Sequence, residues 1–170
     1  DHQYPGRRLQ ADLLNEDTRD LLAVISETRN STNAIRMDPV IEKIETSVTR
    51  VFKTVFPNTT NHYDTLFGGT AMQLMDEVAF MTATRFCRKK MVTVSSDRID
   101  FTEPIPSGTI IELVGRVEHV GHTSVRVRVD IFIEEMYREG RRKAITGSFT
   151  MVAIDENKRP MPVLEKGSNR

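Results

Sequence analysis

One acidic side chain stands out because it falls in an apolar part of the sequence. From Thr70 to Arg88 the chain has no glycine or proline and is rich in alanine, methionine and leucine, which predicts a long helix. At about 100° per residue, Asp76 falls on the face that also carries Met72, Met75, Ala79, Ala83 and Phe86. The opposite face is also fairly apolar, so we expect a helix buried nearly all round. Desolvation raises the basicity of a carboxylate, which suits it to act as a base.

Two structural explanations of Asp76 compete with a catalytic one. The helix face can line a subunit edge that water reaches, or backbone donors can satisfy the charge. The residues alone leave these alternatives open against a functional role.

A pair of glycines precedes the helix and gives a second chemical signal. Gly68 and Gly69 permit close approach of a ligand to the backbone, and a helix N-terminus presents free N–H groups. Such donors can polarise a carbonyl group and stabilise an oxyanion. The competing explanation is a simple turn from loop to helix. Gly69 lies about 10 Å along the helix axis from Asp76, so another strand or subunit must complete a pocket that uses both.

The segments around the helix predict an α+β fold with an antiparallel sheet. A strand-like pattern from Ser47 stops at Pro57, and the helix spans about residues 69–88. Four further strands are predicted at 92–101, 109–120, 124–135 and 144–155. The clearest is 124–135, where valine and isoleucine alternate with polar residues. Because short turns connect these strands, we expect antiparallel neighbours wrapped around the helix.

The chain divides into one main domain with two flanking segments. Residues 1–46 predict an N-terminal helical extension, in which leucines between 9 and 22 recur at helical spacing and Asp38-Pro39 is interpreted as a stop. Residues 47–163 form the main domain, and residues 164–170 form a C-terminal tail. The 24 basic and 24 acidic residues balance, which argues against nucleic-acid or membrane-surface binding. One cysteine and no long apolar run favour a cytoplasmic protein.

Four motifs of the main domain resemble one enzyme family. They are VFPNTTNHYDTLFGGTAMQLMDEVAFMTA, VTVSSDRIDFTEPIPSG, VGHTSVRVRV and SFTMVAIDENKRPMPV. They are similar to the acyl-CoA hydrolases with a hotdog fold, in which a curved antiparallel sheet wraps a long central helix. The resemblance covers residues 48–163 and leaves out the N-terminal extension.

The resemblance implies a reaction and an active site. The family hydrolyses acyl-CoA to a free acid and CoA, with Asp76 in the position of the general base or nucleophile. Asn61 matches the loop asparagine that acts across a dimer interface, and Gly69 matches the amide that polarises the thioester carbonyl. Asp64 stands where the typical Asn-x-x-Gly loop has glycine, which raises the question of loop shape. A homodimer is the expected minimum, and a hexamer of three dimers is the larger alternative.

The anionic CoA nucleotide requires local cations. Candidates are Arg88, Lys89 and Lys90 at the helix end, the run 141–143 that includes Arg142, and Lys158 with Arg159. Ser124 resembles a CoA-contacting position of the family. Each basic cluster can equally be a solvated group. No metal and no cofactor are expected, since CoA is part of the substrate and hydrolysis needs only an activated water or nucleophile and a stabilised oxyanion.

Two other functions remain open on this scaffold. The chain could be a non-catalytic module that binds acyl-CoA or lipid, with Asp76 purely structural. A hotdog dehydratase is disfavoured because no suitably placed histidine accompanies the helix carboxylate.

Overall fold

A computed structural model describes residues 38–165. Two helices, a short 3₁₀ turn and six strands follow one another along this part of the chain. They are α1 (Pro39–Ser47), β1 (Thr49–Thr54), the 3₁₀ turn (Pro57–Thr59), α2 (Gly68–Cys87), β2 (Lys90–Ser96), β3 (Asp100–Phe101), β4 (Thr109–Val120), β5 (Ser124–Glu135) and β6 (Arg141–Ile154).

The central helix α2 confirms the predicted helix to within one residue at each end. It begins at Gly68 and ends at Cys87, and the capping residue Arg88 that follows adopts the left-handed conformation. The buried side is made mostly of alanine and medium-sized apolar residues: Ala71, Leu74, Met75, Val78, Ala79, Thr82, Ala83, Phe86 and Cys87. The expectation of burial nearly all round is wrong, because Met72, Asp76 and Phe80 lie on an exposed side.

The six strands form one antiparallel sheet in the order β1-β4-β5-β6-β2, with the short β3 also paired to β6. Helix α2 contacts five of the strands, so the sheet wraps around it as predicted. Strands β4, β5 and β6 pair with their chain neighbours across short turns. Strand β2 instead pairs with β6 and forms one edge of the sheet, which the connection lengths did not indicate.

Several strand boundaries differ from the prediction. The strand predicted from Ser47 begins only at Thr49, because Ser47 is the last residue of α1, and β2 begins at Lys90 and not at 92. The predicted strand 92–101 is interrupted, since β2 ends at Ser96 and β3 begins only at Asp100. The turn before the last strand is shorter than expected, because β6 already begins at Arg141. Arg141 pairs with Glu134 of β5 in register, so the basic run there is part of the sheet.

The core lies between α2 and the inner face of the sheet. On β5 the inward residues Val125, Val127, Val129, Ile131 and Ile133 have no exposed surface. The residues between them are exposed or half-buried, which confirms the predicted alternation. This inner face is the apolar surface on which α2 rests.

Helix α1 begins where the sequence suggested a stop. Asp38 caps it by accepting a hydrogen bond from the Val40 N–H at 2.8 Å, and Pro39 occupies its first turn. An aspartate cap followed by proline is a favourable helix start, so the interpretation of this pair as a stop is wrong. Val40 and Ile44 pack against the core. The leucine-rich part of the predicted extension lies outside the described residues, as does the chain beyond 165.

Glycine at position 115 lets β4 approach α2 closely. A methyl group there would lie 2.3 Å from Thr82 Oγ1 and 2.8 Å from Val78 Cγ1, both on the buried side of the helix. The Thr82 hydroxyl donates to the Val78 carbonyl at 2.7 Å and has little freedom to move away. The distance between helix and sheet therefore depends on this glycine.

Gly115→Ala should destabilise the protein by about 1–3 kcal/mol, the usual cost of overpacking a core, because α2 must shift outward. The corresponding fall in melting temperature is roughly 2–4 °C for each kcal/mol. Thermal unfolding at one fixed protein concentration measures it. Arg116→Ala is the matched control, since Arg116 is exposed and removes only a surface ion pair with Glu45. Equal melting temperatures for the parent and Gly115→Ala would contradict the close-approach argument.

Candidate active site

Asp76 lies on the exposed side of α2 and is held by one neighbouring side chain. The Thr93 hydroxyl of β2 donates to Asp76 Oδ1 at 2.7 Å. One carboxylate oxygen is thereby fixed in orientation, and Oδ2 has no hydrogen-bond partner among the described residues. An oriented carboxylate with a free oxygen can accept a proton from water or attack a carbonyl carbon.

Apolar side chains surround Asp76 without being covered. Met72 and Phe80, one turn before and after it on α2, are 43% and 46% exposed. Val92 and Val94 of the edge strand β2 are 38% and 55% exposed. An uncovered sheet edge beside exposed apolar groups is a surface suited to a second molecule. Within residues 38–165, the surroundings of Asp76 are therefore open on this side.

Asn61 organises the loop that leads to α2. Its side-chain oxygen Oδ1 accepts hydrogen bonds from the Tyr63 N–H at 2.9 Å, the Thr65 N–H at 3.3 Å and the Thr65 hydroxyl at 3.1 Å. These contacts use the carbonyl oxygen of the amide and fix the plane of the side chain. The Asn61 amide NH₂ group is the end that remains available to donate to a ligand.

The two glycines at the start of α2 are not required by the chain itself. An added methyl group at Gly69 would lie 3.5 Å from the Phe67 ring, and one at Gly68 would lie 3.7 Å from the Phe101 ring. These are ordinary contact distances, and neither glycine has a positive φ. Glycine costs helix stability relative to alanine. Open space over the backbone here therefore favours the close approach of a ligand to the free N–H groups of the first turn.

A cavity of about 280 Å³ opens beside this helix start. Its lining joins the Asn61 loop, the first helical residue and the connection after β3: Thr65, Leu66, Gly68, Phe101, Thr102, Glu103, Pro104, Ile105 and Ile145. Thr65 is the residue whose N–H and hydroxyl bond to Asn61. The cavity is thus bordered by the partner of Asn61 and by the first residue of α2, but Asn61 and Gly69 themselves do not line it.

Most of the predicted CoA contacts meet at one end of the sheet. Lys90 pairs with Ile154, and Ser124 pairs with Val152 two residues earlier on the same strand. Lys158 lies in the turn directly after β6 with a left-handed backbone, and its N–H donates to the carbonyl of Asp155. The register therefore places Arg88, Lys89, Lys90, Ser124 and Lys158 together at this end.

Arg142 does not join that group. It pairs with Ile133 at the start of β6, about 40 Å along the strand from Ile154. Its guanidinium lies 2.6 Å from Glu103 of the cavity lining. Arg142 therefore belongs with the helix-start cavity and not with the other predicted CoA contacts.

The cations beside Arg142 are paired within the chain. Arg141 forms an ion pair with the buried carboxylate of Glu112. Lys143 lies 3.1 Å from Asp130. Burial alone raises the pKa of Asp130, but hydrogen bonds from Thr146 and Lys143 and the charge of Arg128 outweigh it, so this pKa lies below its ordinary value. These ion pairs leave Arg141 and Lys143 less available to an anionic ligand.

Cys87 is unsuited to nucleophilic chemistry. Burial raises the pKa of its thiol above the ordinary value, although nearby Lys89 opposes the shift. The thiol donates to the Ala83 carbonyl at 3.3 Å. In residues 38–165, no three histidine, cysteine or acidic side chains are arranged to hold a metal ion. None of the helices in the described part of the chain is long and apolar enough to cross a membrane.

Comparison with known proteins places this architecture in one family. The family model of the thioesterase superfamily matches residues 63–139. YkhA of Bacillus subtilis, named as an uncharacterized acyl-CoA thioester hydrolase, is 40% identical over 116 residues, which are 67% of each chain. The chain belongs to the acyl-CoA thioester hydrolases.

Solved structures agree with this membership and with the predicted hotdog fold. An acyl-CoA hydrolase of Staphylococcus aureus, solved with butyryl-CoA and CoA, is 35% identical with a TM-score of 0.68, over 70% of this chain and 73% of that one. A hexameric acyl-CoA thioesterase is 36% identical with the same TM-score, over 70% of this chain and 76% of that one. The predicted hotdog fold and enzyme class are confirmed.

Sequence reasoning about this thioester hydrolase missed Thr93. Thr93 lies in a strand segment of ordinary β-sheet composition, 17 residues after Asp76. Only the pairing of β2 with β6 brings its hydroxyl to the carboxylate. In the sequence, Thr93 is followed by valine and serine, as in many strands. This pattern does not indicate a hydrogen bond to a carboxylate of the helix.

The departure from the family loop at Asp64 is accommodated by its backbone. Asp64 has φ of 56°, in the left-handed region that favours glycine and that aspartate tolerates better than most residues. Its N–H donates to the Asn61 carbonyl at 3.1 Å, and its carbonyl accepts from the Ser107 N–H at 2.9 Å. The loop thus keeps the conformation for which glycine is the usual residue.

Asp64→Val should impair the enzyme, whereas Asp64→Gly should not. A β-branched residue resists the left-handed conformation at a cost on the order of 1–2 kcal/mol, so the loop that holds Asn61 should shift. Turnover of acyl-CoA and melting temperature measure the two effects. Asp64→Asn is the matched control, since asparagine also tolerates this backbone. Full activity in Asp64→Val would show that the backbone at 64 does not position Asn61.

Proposed function

We propose that this protein hydrolyses acyl-CoA thioesters at a site shared by two subunits. In this proposal Asp76 of one subunit acts on a thioester held by Gly69 and Asn61 of the other. The observation that carries it is the hydrogen bond that fixes Asp76 through Thr93 on an uncovered apolar surface. Along one helix, Gly69 and Asp76 are about 10 Å apart, so a second subunit is needed to bring such groups to one carbonyl.

Variants of the Staphylococcus aureus enzyme support the choice of residues. Its solved structures include replacements by alanine of an asparagine, an aspartate and a threonine. These three residues are spaced 15 and 17 positions apart in that chain. Asn61, Asp76 and Thr93 have the same spacing here. The three positions therefore make up a candidate catalytic set, in which Thr93 is a positioning residue.

The chemistry follows from the geometry of these groups. Asp76 accepts a proton from water, and the resulting hydroxide attacks the thioester carbonyl carbon. The negative charge that develops on the carbonyl oxygen is stabilised by the Gly69 N–H at the positive end of α2. Collapse of the tetrahedral intermediate breaks the carbon–sulfur bond, and the proton held by Asp76 passes to the CoA thiolate. The products are a free acid and CoA.

A covalent route uses the same residues. Asp76 attacks the carbonyl carbon directly, CoA leaves, and water then hydrolyses the anhydride. The NH₂ group of Asn61 is placed to donate to the carbonyl oxygen or to orient water in either route. The structure of one subunit favours neither route, and both make the same demand on Asp76.

The assembly we propose is a homodimer at minimum, joined at the β2 edge and the exposed side of α2. A hexamer of three dimers is the larger alternative, and one relative is a hexameric acyl-CoA thioesterase. The non-catalytic acyl-CoA or lipid-binding module stays the rival proposal. A cytoplasmic location, the absence of a cofactor and the domain limits at 46 and 163 remain predictions.

Asp76→Asn should lower kcat by on the order of 10²-fold or more, the scale of a lost general base, while the protein stays folded. Release of free thiol from acyl-CoAs of several chain lengths measures turnover. Asn61→Ala should also impair turnover. Mixing Asp76→Asn with Asn61→Ala subunits should restore part of the activity, because one of the two sites in a heterodimer is then intact.

Glu77→Gln is the matched control for Asp76→Asn, since Glu77 is exposed on the next residue of α2 and bonds to Gln73. It should leave kcat unchanged. Parental turnover in folded Asp76→Asn would refute the catalytic role of Asp76. Binding of acyl-CoA without turnover at any chain length would instead favour the rival module.

Thr93→Val should lower kcat less than Asp76→Asn does, because it removes the orienting hydrogen bond and leaves the carboxylate. We expect a loss of roughly tenfold, the equivalent of one hydrogen bond of about 1.4 kcal/mol. Thr93→Ser keeps the hydroxyl and should rescue the rate. Equal loss in Thr93→Ser and Thr93→Val would indicate a packing role for the threonine.

A further inference from the structure

Two exposed aromatic rings flank the pair of glycines at the start of α2. The Phe67 ring lies 3.5 Å from the position of a methyl group on Gly69, and the Phe101 ring lies 3.7 Å from that position on Gly68. Phe67 is 57% exposed and Phe101 is 51% exposed. Because neighbouring residues of a helix point about 100° apart, the two rings lie on different sides of the helix start. Within residues 38–165, both rings are open to a ligand that comes to this end of α2.

The backbone that carries each ring is fixed by hydrogen bonds. Phe67 is the capping residue before α2, and its N–H donates to the Thr59 carbonyl at 3.1 Å. Phe101 belongs to β3 and pairs with Ile145 of β6. Neither residue belongs to β2, the edge at which we expect the dimer to join. A ring on a fixed backbone is confined to a few rotamers, so it can act as a wall beside a ligand.

Free backbone donors lie between the two rings. The Ala71 N–H donates to the Phe67 carbonyl at 3.0 Å, and the N–H groups of the three residues before Ala71 have no acceptor within the helix. In the proposed reaction, the Gly69 N–H binds the carbonyl oxygen of the thioester. The carbonyl carbon then lies within about 4 Å of the Gly69 nitrogen. The reacting group of the substrate therefore lies beside both rings.

The cavity beside the helix start continues from these rings. Phe101 and Gly68 belong to its lining, and Leu66, Ile105 and Ile145 give it apolar walls. An acyl group that enters this cavity from the Gly69 N–H passes Phe101 with the carbon next to its carbonyl. Later carbons of the chain lie deeper in the cavity. The rings therefore contact the first carbon of the acyl group more closely than the rest.

We propose that Phe67 and Phe101 select acyl groups that are unbranched at the carbon next to the thioester carbonyl. The inference rests on the proposed thioesterase function, and it names a substrate class for the same site. A straight chain presents only hydrogen atoms to the rings at this carbon. A methyl branch there meets a ring and moves the carbonyl away from the Gly69 N–H, so the reacting geometry is lost. One methyl group in an apolar site changes kcat/KM by roughly 10–200-fold.

The test compares two isomeric substrates, 2-methylbutyryl-CoA and 3-methylbutyryl-CoA, which differ only in the position of the branch. The parent enzyme should hydrolyse the 3-methyl isomer with a kcat/KM at least about tenfold higher. Phe101→Ala should bring the ratio of the two kcat/KM values to about one, because the wall beside the first carbon is removed. Both substrates are measured on the same protein sample, so any unfolded fraction cancels in the ratio.

Three further variants separate the ring from its surroundings. Phe101→Tyr keeps the ring and should keep the parental ratio. Phe52→Ala is the matched control, since Phe52 is 58% exposed and lies on β1 opposite Glu112. It should also leave the ratio unchanged. Phe67→Ala should lower the ratio, and it gives the same test if Phe101→Ala does not fold. A parental ratio in folded Phe101→Ala overturns the selection and leaves the reaction intact.

Direct binding separates this inference from the proposed reaction. Asp76→Asn should bind 3-methylbutyryl-CoA about tenfold more tightly than the 2-methyl isomer, and adding Phe101→Ala should remove the difference. If the parent hydrolyses no acyl-CoA but binding shows this difference, the reaction fails and the selection is supported. Sedimentation of Phe101→Ala tests the remaining role of the ring. Loss of the dimer with an unchanged ratio would assign the ring to the subunit contact and overturn the selection.

Discussion

The close packing of helix α2 against the curved sheet determines where the candidate functional groups lie. Helix α2 carries Gly69 and Asp76, and it touches five strands. Its separation from β4 is set by Gly115, where even a methyl group would collide with Thr82 and Val78. Small residues on the buried side of α2 allow this approach. A helix held so closely presents its remaining side in a fixed direction, which is what an oriented carboxylate requires.

Local patterns in the sequence predicted the elements that depend on local physics. Strands β4 and β5 match the expected ranges 109–120 and 124–135, because alternation of valine and isoleucine reports one buried face. Pairing between strands that are far apart in sequence cannot be predicted from such local patterns. The pairing of β2 with β6 and the contact of Thr93 with Asp76 join residues far apart in sequence, and only the closed sheet creates them. The start of α1 was readable as an aspartate cap, but Asp38-Pro39 is equally common chemistry for a turn.

Burial was the least predictable property of the candidate site. A helical wheel separates apolar from polar residues, but it does not say whether an apolar residue meets the core or a second molecule. Met72 and Phe80 were expected to be buried and are nearly half exposed. Asp76 lies between them, at the boundary of the buried side. The proposed dimer accounts for both facts. In it the partner subunit covers the apolar side chains, and the carboxylate lies in a solvent-filled gap at the interface. The sequence of one chain shows which residues these are, but it does not show that a second subunit covers them.

Helix α2 also carries several of the local costs of this fold, in addition to the left-handed residues Asp64 and Lys158 elsewhere. Two glycines begin the helix with no steric need inside the chain, an arginine ends it in a left-handed conformation, and Thr84 leaves a buried hydroxyl unpaired. Each departs from the choice that stability alone would favour. Elsewhere in the described residues the ion pairs and the apolar core are locally consistent, as with Arg141 on Glu112. Departures gathered at the start and in the last turn of one helix are expected where selection acts on a ligand rather than on the fold. A thioester carbonyl bound at the helix start would account for the two glycines, which the chain itself does not require.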